Sequence, residues 1–459
     1  TSLAGFPDSL LRGHSASIAI SYRLNQIQYY RYQPKGKMHP KDEKSVAMER
    51  LGILQQVICN TLSLSVDEVA AASFLQLGGD SLTAIEVSAR CYSSGLTVSV
   101  IDIMRCSTLE EVASLASVND EGLGDGSSSP WSLVAEEELP SIMSQVQEQC
   151  HLGPEEEIQD VYPTTALQEG LMMLAVKQPG SYLTTSTIKL AAGVDVGRFQ
   201  AAWEQTLDVC ELLRTRIVHC GSQTLQAVIR TKAKWQYATT LATYAQQVRD
   251  LRMTYGSPLC QYWLLDQGTQ KVFGIAIHHA IYDAWSLRLI LQTVAKLYNG
   301  QEVLPMQLVP YTGLIQYITR LDRAKSGEYW RKQLNGASPS SIAFMEGTPS
   351  PADGAGSESL MHKIGFQIDS TVPVTITGAS VLRAAWAIVV SQYSSSEEAV
   401  FGATVTGRQA PIVGVERMAG PAICTVPVRI RVSGKHYPAP CLQQINNYTC
   451  AGSSHGQRV

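Results

Sequence analysis

From Glu43 to Leu62 the apolar residues Val46, Leu51, Leu54, Val57, Ile58 and Leu62 recur at three- and four-residue steps. That spacing predicts an amphipathic helix with one buried face. A second helix is expected from about Ser81 to Ser93, marked by Leu82, Ile85, Val87 and Ala89. A third is expected over Ser107 to Ala116, opened by the capping-box string Ser107-Thr108-Leu109-Glu110. Residues 43–117 therefore read as a small all-helical bundle. Beyond Ile158 the pattern changes, and β-like runs alternate with helical ones. Thr187 to Leu190 and Lys271 to Ile277 read as strands, Val196 to Cys210 and Trp285 to Tyr298 as helices, and His362 to Ile368 with the helix Ala379 to Tyr393 as the start of a second lobe. This is the signature of an α/β or α+β layer architecture.

Breaker-rich stretches separate these regions. Residues 1–42 show little periodicity and run into the basic, Pro- and Gly-containing stretch Pro34 to Lys41, a boundary or linker. Residues 119–130 are rich in Gly, Ser and acid, the composition of a flexible connection. A second loose patch, Ser338 to Glu358, divides the large region into two lobes.

Composition narrows the class of function. Lys and Arg number 36 against 40 Asp and Glu, a net charge of -4, so no basic field draws the chain to nucleic acid or anionic lipid. No apolar run approaches the roughly 18 residues of a spanning helix, and no secretory signal opens the sequence. The ten cysteines are scattered without a C-x-x-C pair, which fits reduced thiols in a cytoplasmic protein better than disulfides or zinc.

Two motifs carry chemistry. The first is Phe74-Leu75-Gln76-Leu77-Gly78-Gly79-Asp80-Ser81-Leu82, a serine on a Gly-Gly-Asp turn directly before a helix. Asp80 or Ser81 can cap that helix, and its N-terminus favours a phosphodiester on the hydroxyl. An ordinary capped turn would look the same locally. The second is Ile277-His278-His279-Ala280-Ile281-Tyr282-Asp283-Ala284-Trp285-Ser286, between a buried strand and a helix. Its residues allow a metal site, though a further ligand is lacking and adjacent strand residues face opposite ways. They also allow a structural imidazole tied down by Asp283, or a histidine of near-neutral pKa serving proton transfer.

The first string resembles the pantetheine attachment site of peptidyl carrier (thiolation) domains over the whole of 43–117. The resemblance implies that Ser81, flanked by Asp80 and Leu82, carries 4'-phosphopantetheine. The second resembles the H-H-x-x-x-D signature of nonribosomal peptide synthetase condensation domains, whose fold is that of chloramphenicol acetyltransferase. Further matches follow in the family's order: Tyr162 to Met172, in a form common among fungal enzymes, Glu211-Leu212-Leu213-Arg214-Thr215, Tyr329-Trp330-Arg331-Lys332-Gln333-Leu334, and Gly420 to Arg429. Two departures stand out, Val209-Cys210 before Glu211 and Ala284 where the family has glycine. The resemblance implies that His279 is catalytic, that Asp283 is structural and that His278 supports the loop, with no metal.

The expected organisation is a segment or linker over 1–42, a carrier domain over 43–117, a linker over 118–157, a condensation N-lobe over 158–335 and an incomplete C-lobe over 336–459. The resemblance implies amide bond formation by attack of an amine on a carrier-bound peptidyl thioester. Its partners are then peptidyl and aminoacyl thioesters, neighbouring synthetase modules and carrier domains, and a phosphopantetheinyl transferase, with no nucleic acid or membrane. Alternatives are a terminal condensation-like domain that releases a ring by intramolecular macrocyclisation, an epimerase of the same fold, a non-catalytic interaction module, and a stand-alone acetyltransferase using coenzyme A.

Overall fold

A computed structural model describes residues 43–69, 72–118, 129–268, 270–301, 308–338, 378–408, 410, 412 and 414–432. The readings made for residues 1–42, for most of 119–130 and of Ser338 to Glu358, for His362 to Ile368 and for residues 433–459 lie outside the described residues. Contacts divide the remainder into two compact units, one holding residues 129–320 with Arg417–Ala422 and the other holding the rest.

The carrier segment contains α1 (Glu43–Leu62), α2 (Val66–Val69), α3 (Ser81–Ser93), β1 (Leu96–Thr97), α4 (Val100–Arg105), α5 (Leu109–Leu115) and β2 (Ser117–Val118). The face read from the sequence is the buried one: Leu54, Val57 and Ile58 of α1 meet α3 and α5, where Ile85, Val87 and Val112 are buried. Each such side chain stabilises the bundle by about 2 kcal/mol. Two details differ from expectation. The short helices α2 and α4 are additional, each too brief for a periodic pattern to register. The third predicted helix is capped one residue later, by Thr108, whose hydroxyl accepts the Glu111 N–H at 3.2 Å while the Glu111 carboxylate accepts the Ser107 N–H at 2.8 Å.

The first compact unit is built from α6 (Leu139–Gln149), β3 (Glu157–Pro163), α7 (Ala166–Lys177), β4 (Leu183–Lys189), α8 (Val196–Val209), β5 (Thr215–Cys220), β6 (Gln223–Arg230), β7 (Trp235–Ala238), α9 (Leu241–Arg249), β8 (Cys260–Asp266), β9 (Lys271–His278), α10 (Ala284–Tyr298) and α11 (Thr312–Arg320). Its strands form a three-stranded sheet, β3-β6-β5, and a four-stranded sheet, β4-β9-β8-β7, antiparallel except for the β7–β8 pair. β9 is buried along nearly its whole length, which is why its sequence is a continuous apolar run. Trp203 of α8 covers that sheet, its ring 5.2 Å from both Tyr262 of β8 and Phe273 of β9.

The expected linker 118–157 contains α6, whose Ile142 and Val146 are buried with Ile158, Val161 and Leu225 in one core cluster. Only two residues of this short helix, Ile142 and Val146, are buried, too few for a period to register in the sequence. The second unit adds α12 (Arg323–Leu334), α13 (Gly378–Ser394), β10 (Glu398–Thr406) and β11 (Ile423–Arg431), the two strands pairing antiparallel over nine residues. Trp330 of α12 packs with Val405, Cys424 and Val426, and the two compact units divide at residue 320.

Gly256 fixes how closely α6 seats on its unit. It has φ +74°, and a β-carbon there would lie 2.2 Å from the Gln149 carbonyl oxygen, an immovable backbone contact. Gly256→Ala is expected to destabilise the unit by about 2–4 kcal/mol, read as a lowered Tm by calorimetry; an unchanged Tm would show that α6 is not held at this point.

Candidate active site

The carrier turn is shaped by two glycines for different reasons. Gly78 has φ +84°, a conformation that side chains rarely adopt. A β-carbon on Gly79 would meet the Phe74 ring at 2.3 Å, and Phe74 is itself buried in the bundle core. The chain then enters α3 through a reciprocal cap. Asp80 Oδ1 accepts the Thr83 N–H at 2.8 Å, and the Asp80 N–H donates to Thr83 Oγ1 at 2.7 Å. Of the two caps open from sequence, Asp80 is the one used, and Ser81 is the first residue of α3. The N-terminus of a thirteen-residue helix stands at that end, a setting that favours a phosphodiester on residue 81. Ser81 with its flanking backbone would hold phosphopantetheine.

β9 delivers the two histidines to different surroundings. His278 ends the strand opposite Leu183 of β4 and is 1% exposed. Its Nδ1 accepts the Ala280 N–H at 3.2 Å, which leaves the ring proton on Nε2, where no hydrogen bond of ordinary geometry is made. Burial first, and the neighbouring His279 second, push its pKa down to about 4, opposed by the Ser181 backbone. His279 follows in the turn and is half-buried. Its N–H donates to the Tyr182 carbonyl at 2.9 Å, and its Nδ1 lies 3.2 Å from the Tyr282 carbonyl. A carbonyl can only accept, so Nδ1 carries the proton and Nε2 keeps a free lone pair. Burial lowers the His279 pKa, against the Tyr282 carbonyl and Asp283, and the neutral ring is the form present at neutral pH.

The Asp283 carboxylate bonds to backbone N–H groups, and its charge acts to raise the His279 pKa. Asp283 is 2% exposed and caps α10: Oδ1 accepts the Ser286 N–H at 2.7 Å, and Oδ2 accepts the Ala422 N–H at 3.0 Å. Ser286 Oγ rests against the same carboxylate, accepts the Gly420 N–H at 2.9 Å and lies 2.7 Å from the Gly420 carbonyl. The carboxylate thus bolts the loop to the Arg417–Ala422 segment. Ala284, the departure from the family's glycine, is exposed at the first position of α10, and its φ is not positive. The alanine costs the backbone nothing there.

Sequence reading missed Gln168, although the motif containing it was noted. Its side chain is fully buried, and Nε2 donates to Gln226 Oε1 at 2.7 Å and to the Ala280 carbonyl at 2.8 Å, tying α7 and β6 to the histidine loop. A glutamine at the third helical position behind Thr165 was legible as half of a capping box, but its far-side partners were not. Two arginines of the other motifs bond to main-chain carbonyls. Arg214 donates to the Leu207 and Asp208 carbonyls, and Arg429 pairs with Glu398 at 2.6 Å and donates to the Asn335 carbonyl at 2.7 Å, just past the Tyr329–Leu334 string. Among the described residues no cluster of His, Cys, Asp or Glu could hold a metal ion, and the described cysteines are unpaired.

Two outcomes follow from this geometry. Asp283→Asn turns an acceptor oxygen into a donor facing N–H groups, so Tm is expected to fall together with activity, by the equivalent of about 2–4 kcal/mol; full stability with lost activity would give the carboxylate a chemical role. For His278, the folded pKa near 4 lies below the unfolded value of 6.5. The unfolded chain therefore binds the proton first, and stability falls as pH drops from about 6.5 towards 4. His278→Gln is expected to flatten that part of the stability–pH curve relative to the parent; parallel curves would contradict it.

Comparison with known proteins identifies the domains of the chain. A family model described as the condensation domain matches residues 158–455, and one described as the phosphopantetheine attachment site matches residues 53–116. The nonribosomal peptide synthetase dtxS1 of Metarhizium robertsii is 36% identical over 435 residues, covering 93% of this chain and 5% of the relative. The nonribosomal peptide synthetase otaB of Aspergillus carbonarius is 32% identical over 424 residues, covering 91% and 22%. The chain thus spans only a small part of the curated relatives it matches. Among solved structures, holo T3CT aligns with a TM-score of 0.58 at 19% identity, covering 72% of this chain and 76% of that one. The condensation domain from Monacolin K polyketide synthase MokA aligns with a TM-score of 0.51 at 17% identity, covering 66% and 74%. These last two likenesses are of fold. With one family model covering more than half of its length and the other lying over the capped Gly-Gly-Asp turn, the chain belongs to the condensation-domain family of nonribosomal peptide synthetases, with a phosphopantetheine attachment domain ahead of the condensation domain.

Proposed function

We propose that this chain forms amide bonds between carrier-bound substrates, with Ser81 as the attachment residue and His279 as the group that serves acyl transfer. Bound at Ser81, phosphopantetheine supplies a thiol that holds the peptidyl group as a thioester. The nitrogen of an acceptor amine attacks the thioester carbonyl, the C–S bond breaks, and the amine proton leaves by way of His279 Nε2 to the departing thiolate. A thioester is already activated, so positioning and a modest proton acceptor suffice. One observation carries the reading: the Nδ1 of His279 is engaged by a backbone carbonyl, which leaves Nε2 unprotonated on a neutral imidazole. Asp283 and His278 support that loop. Further partners in this reading are aminoacyl thioesters on neighbouring carrier domains and a phosphopantetheinyl transferase, in the cytoplasm; among the described residues no helix is long and apolar enough to cross a membrane.

The test uses the whole chain, primed by a phosphopantetheinyl transferase and coenzyme A and loaded with a synthetic peptidyl pantetheine. The mass increase is expected on the peptide bearing Ser81 and absent in Ser81→Ala. An aminoacyl carrier partner is expected to yield linear elongated peptide, whereas a cyclic product formed without it would establish macrocyclising release instead. His279→Ala is expected to slow product formation by roughly 10²- to 10⁴-fold with priming and loading intact. A folded, loaded His279→Ala chain working at the parent rate would overturn the assignment in favour of a structural motif.

A further inference from the structure

Tyr282 is held in a way that its place in the motif does not require. The ring is 4% exposed, and burial pushes its hydroxyl pKa up to about 12. Its face lies against His279, the ring centroids 4.6 Å apart and the planes 20° from parallel. The same residue supplies the carbonyl 3.2 Å from His279 Nδ1. One residue thus meets both the face and the edge of the imidazole. On the main-chain side, His279 is fixed by the Tyr182 carbonyl at 2.9 Å, and Tyr182 sits at φ +57°, a conformation rare for a bulky side chain.

We propose that Tyr282 is a positioning residue for acyl transfer, its buried ring stacking on His279 and holding the imidazole with Nδ1 on the Tyr282 carbonyl and Nε2 presented to the acceptor amine. The inference rests on the catalytic reading of His279. The carbonyl alone fixes one ring atom and leaves the plane free to swing about it. The stacked face removes that freedom, and close burial keeps the tyrosine ring from turning with it. A group that must meet a proton within hydrogen-bond reach loses rate steeply when displaced by an ångström. A tyrosine that merely filled the core would affect stability without affecting the imidazole's tautomer.

The test compares Tyr282→Phe, which keeps the stacking face, with Tyr282→Leu, which keeps the apolar volume but loses it. The readouts are the single-turnover rate of transfer to an aminoacyl carrier and the ¹⁵N signals of His279 in the histidine-labelled chain. The parent and Tyr282→Phe are expected to show one tautomer protonated at Nδ1 and rates within about threefold of each other. Tyr282→Leu is expected to average the two tautomers and to lower the maximal rate by roughly 10- to 100-fold, with the KM for the acceptor carrier little changed. A folded Tyr282→Leu chain with the parent tautomer signature would overturn the proposal, as would a loss in Tyr282→Phe equal to that in Tyr282→Leu. An active His279→Ala chain would overturn the catalytic reading on which the proposal rests, and the tautomer signals would still report separately whether Tyr282 holds the ring.

Discussion

The two oxygens of the Asp283 carboxylate join two pieces of chain that are distant in sequence. Oδ1 closes the first turn of α10 and Oδ2 receives the Ala422 N–H, 139 residues further on. A carboxylate taken out of water carries a desolvation cost of several kcal/mol, offset here by charge-assisted bonds to two backbone N–H groups and by the positive end of α10. Ser286 extends the junction through both backbone groups of Gly420. Gly420 can be nothing larger, since its φ is +148° and a β-carbon would meet the Tyr311 ring at 2.2 Å. Tyr311 in turn donates to the Pro421 carbonyl at 3.0 Å. The histidine loop is therefore a fixed span between a buried strand and a bolted helix.

A chemically useful imidazole needs that rigidity more than it needs a strong acid–base partner. The sheet registers Leu183 against His278, Gln168 holds the Ala280 carbonyl, and His279 keeps its Nδ1 on a main-chain oxygen. The two adjacent histidines consequently diverge. His278 is sealed in the core and neutral, with Nδ1 committed to the turn, while His279 is only half-buried.

The carrier turn uses the same local device on a smaller scale. Asp80-Ser81-Leu82-Thr83 and Asp283-Ala284-Trp285-Ser286 are both reciprocal caps, an aspartate and a hydroxyl residue three positions later each satisfying the other's N–H. In both cases the residue of interest stands beside a helix start whose direction the cap fixes. In the carrier the cap lies on a small bundle with Phe74 packed under Gly79, and in the condensation domain it is buried and recruits a remote segment.

Much of this was written in short-range pattern. The 3.6-residue period of α1, the apolar run of β9, the helices α8, α10 and α13 and the Gly-Gly-Asp-Ser and His-His turns all depend on neighbours within a few residues, so the sequence alone locates them. It also restricts the strand-end pair to one histidine per face. What it could not decide depends on contacts between residues far apart. α6 becomes part of a core instead of a linker because Ile158 and Leu225 receive it, and α12 joins the second unit because Trp330 finds Val405 and Val426. The buried reach of Gln168 across to Gln226 and Ala280 spans 58 and 112 residues. No local period encodes such pairs, since a buried amide or carboxylate is given its role by whichever donors and acceptors the folded chain brings to it.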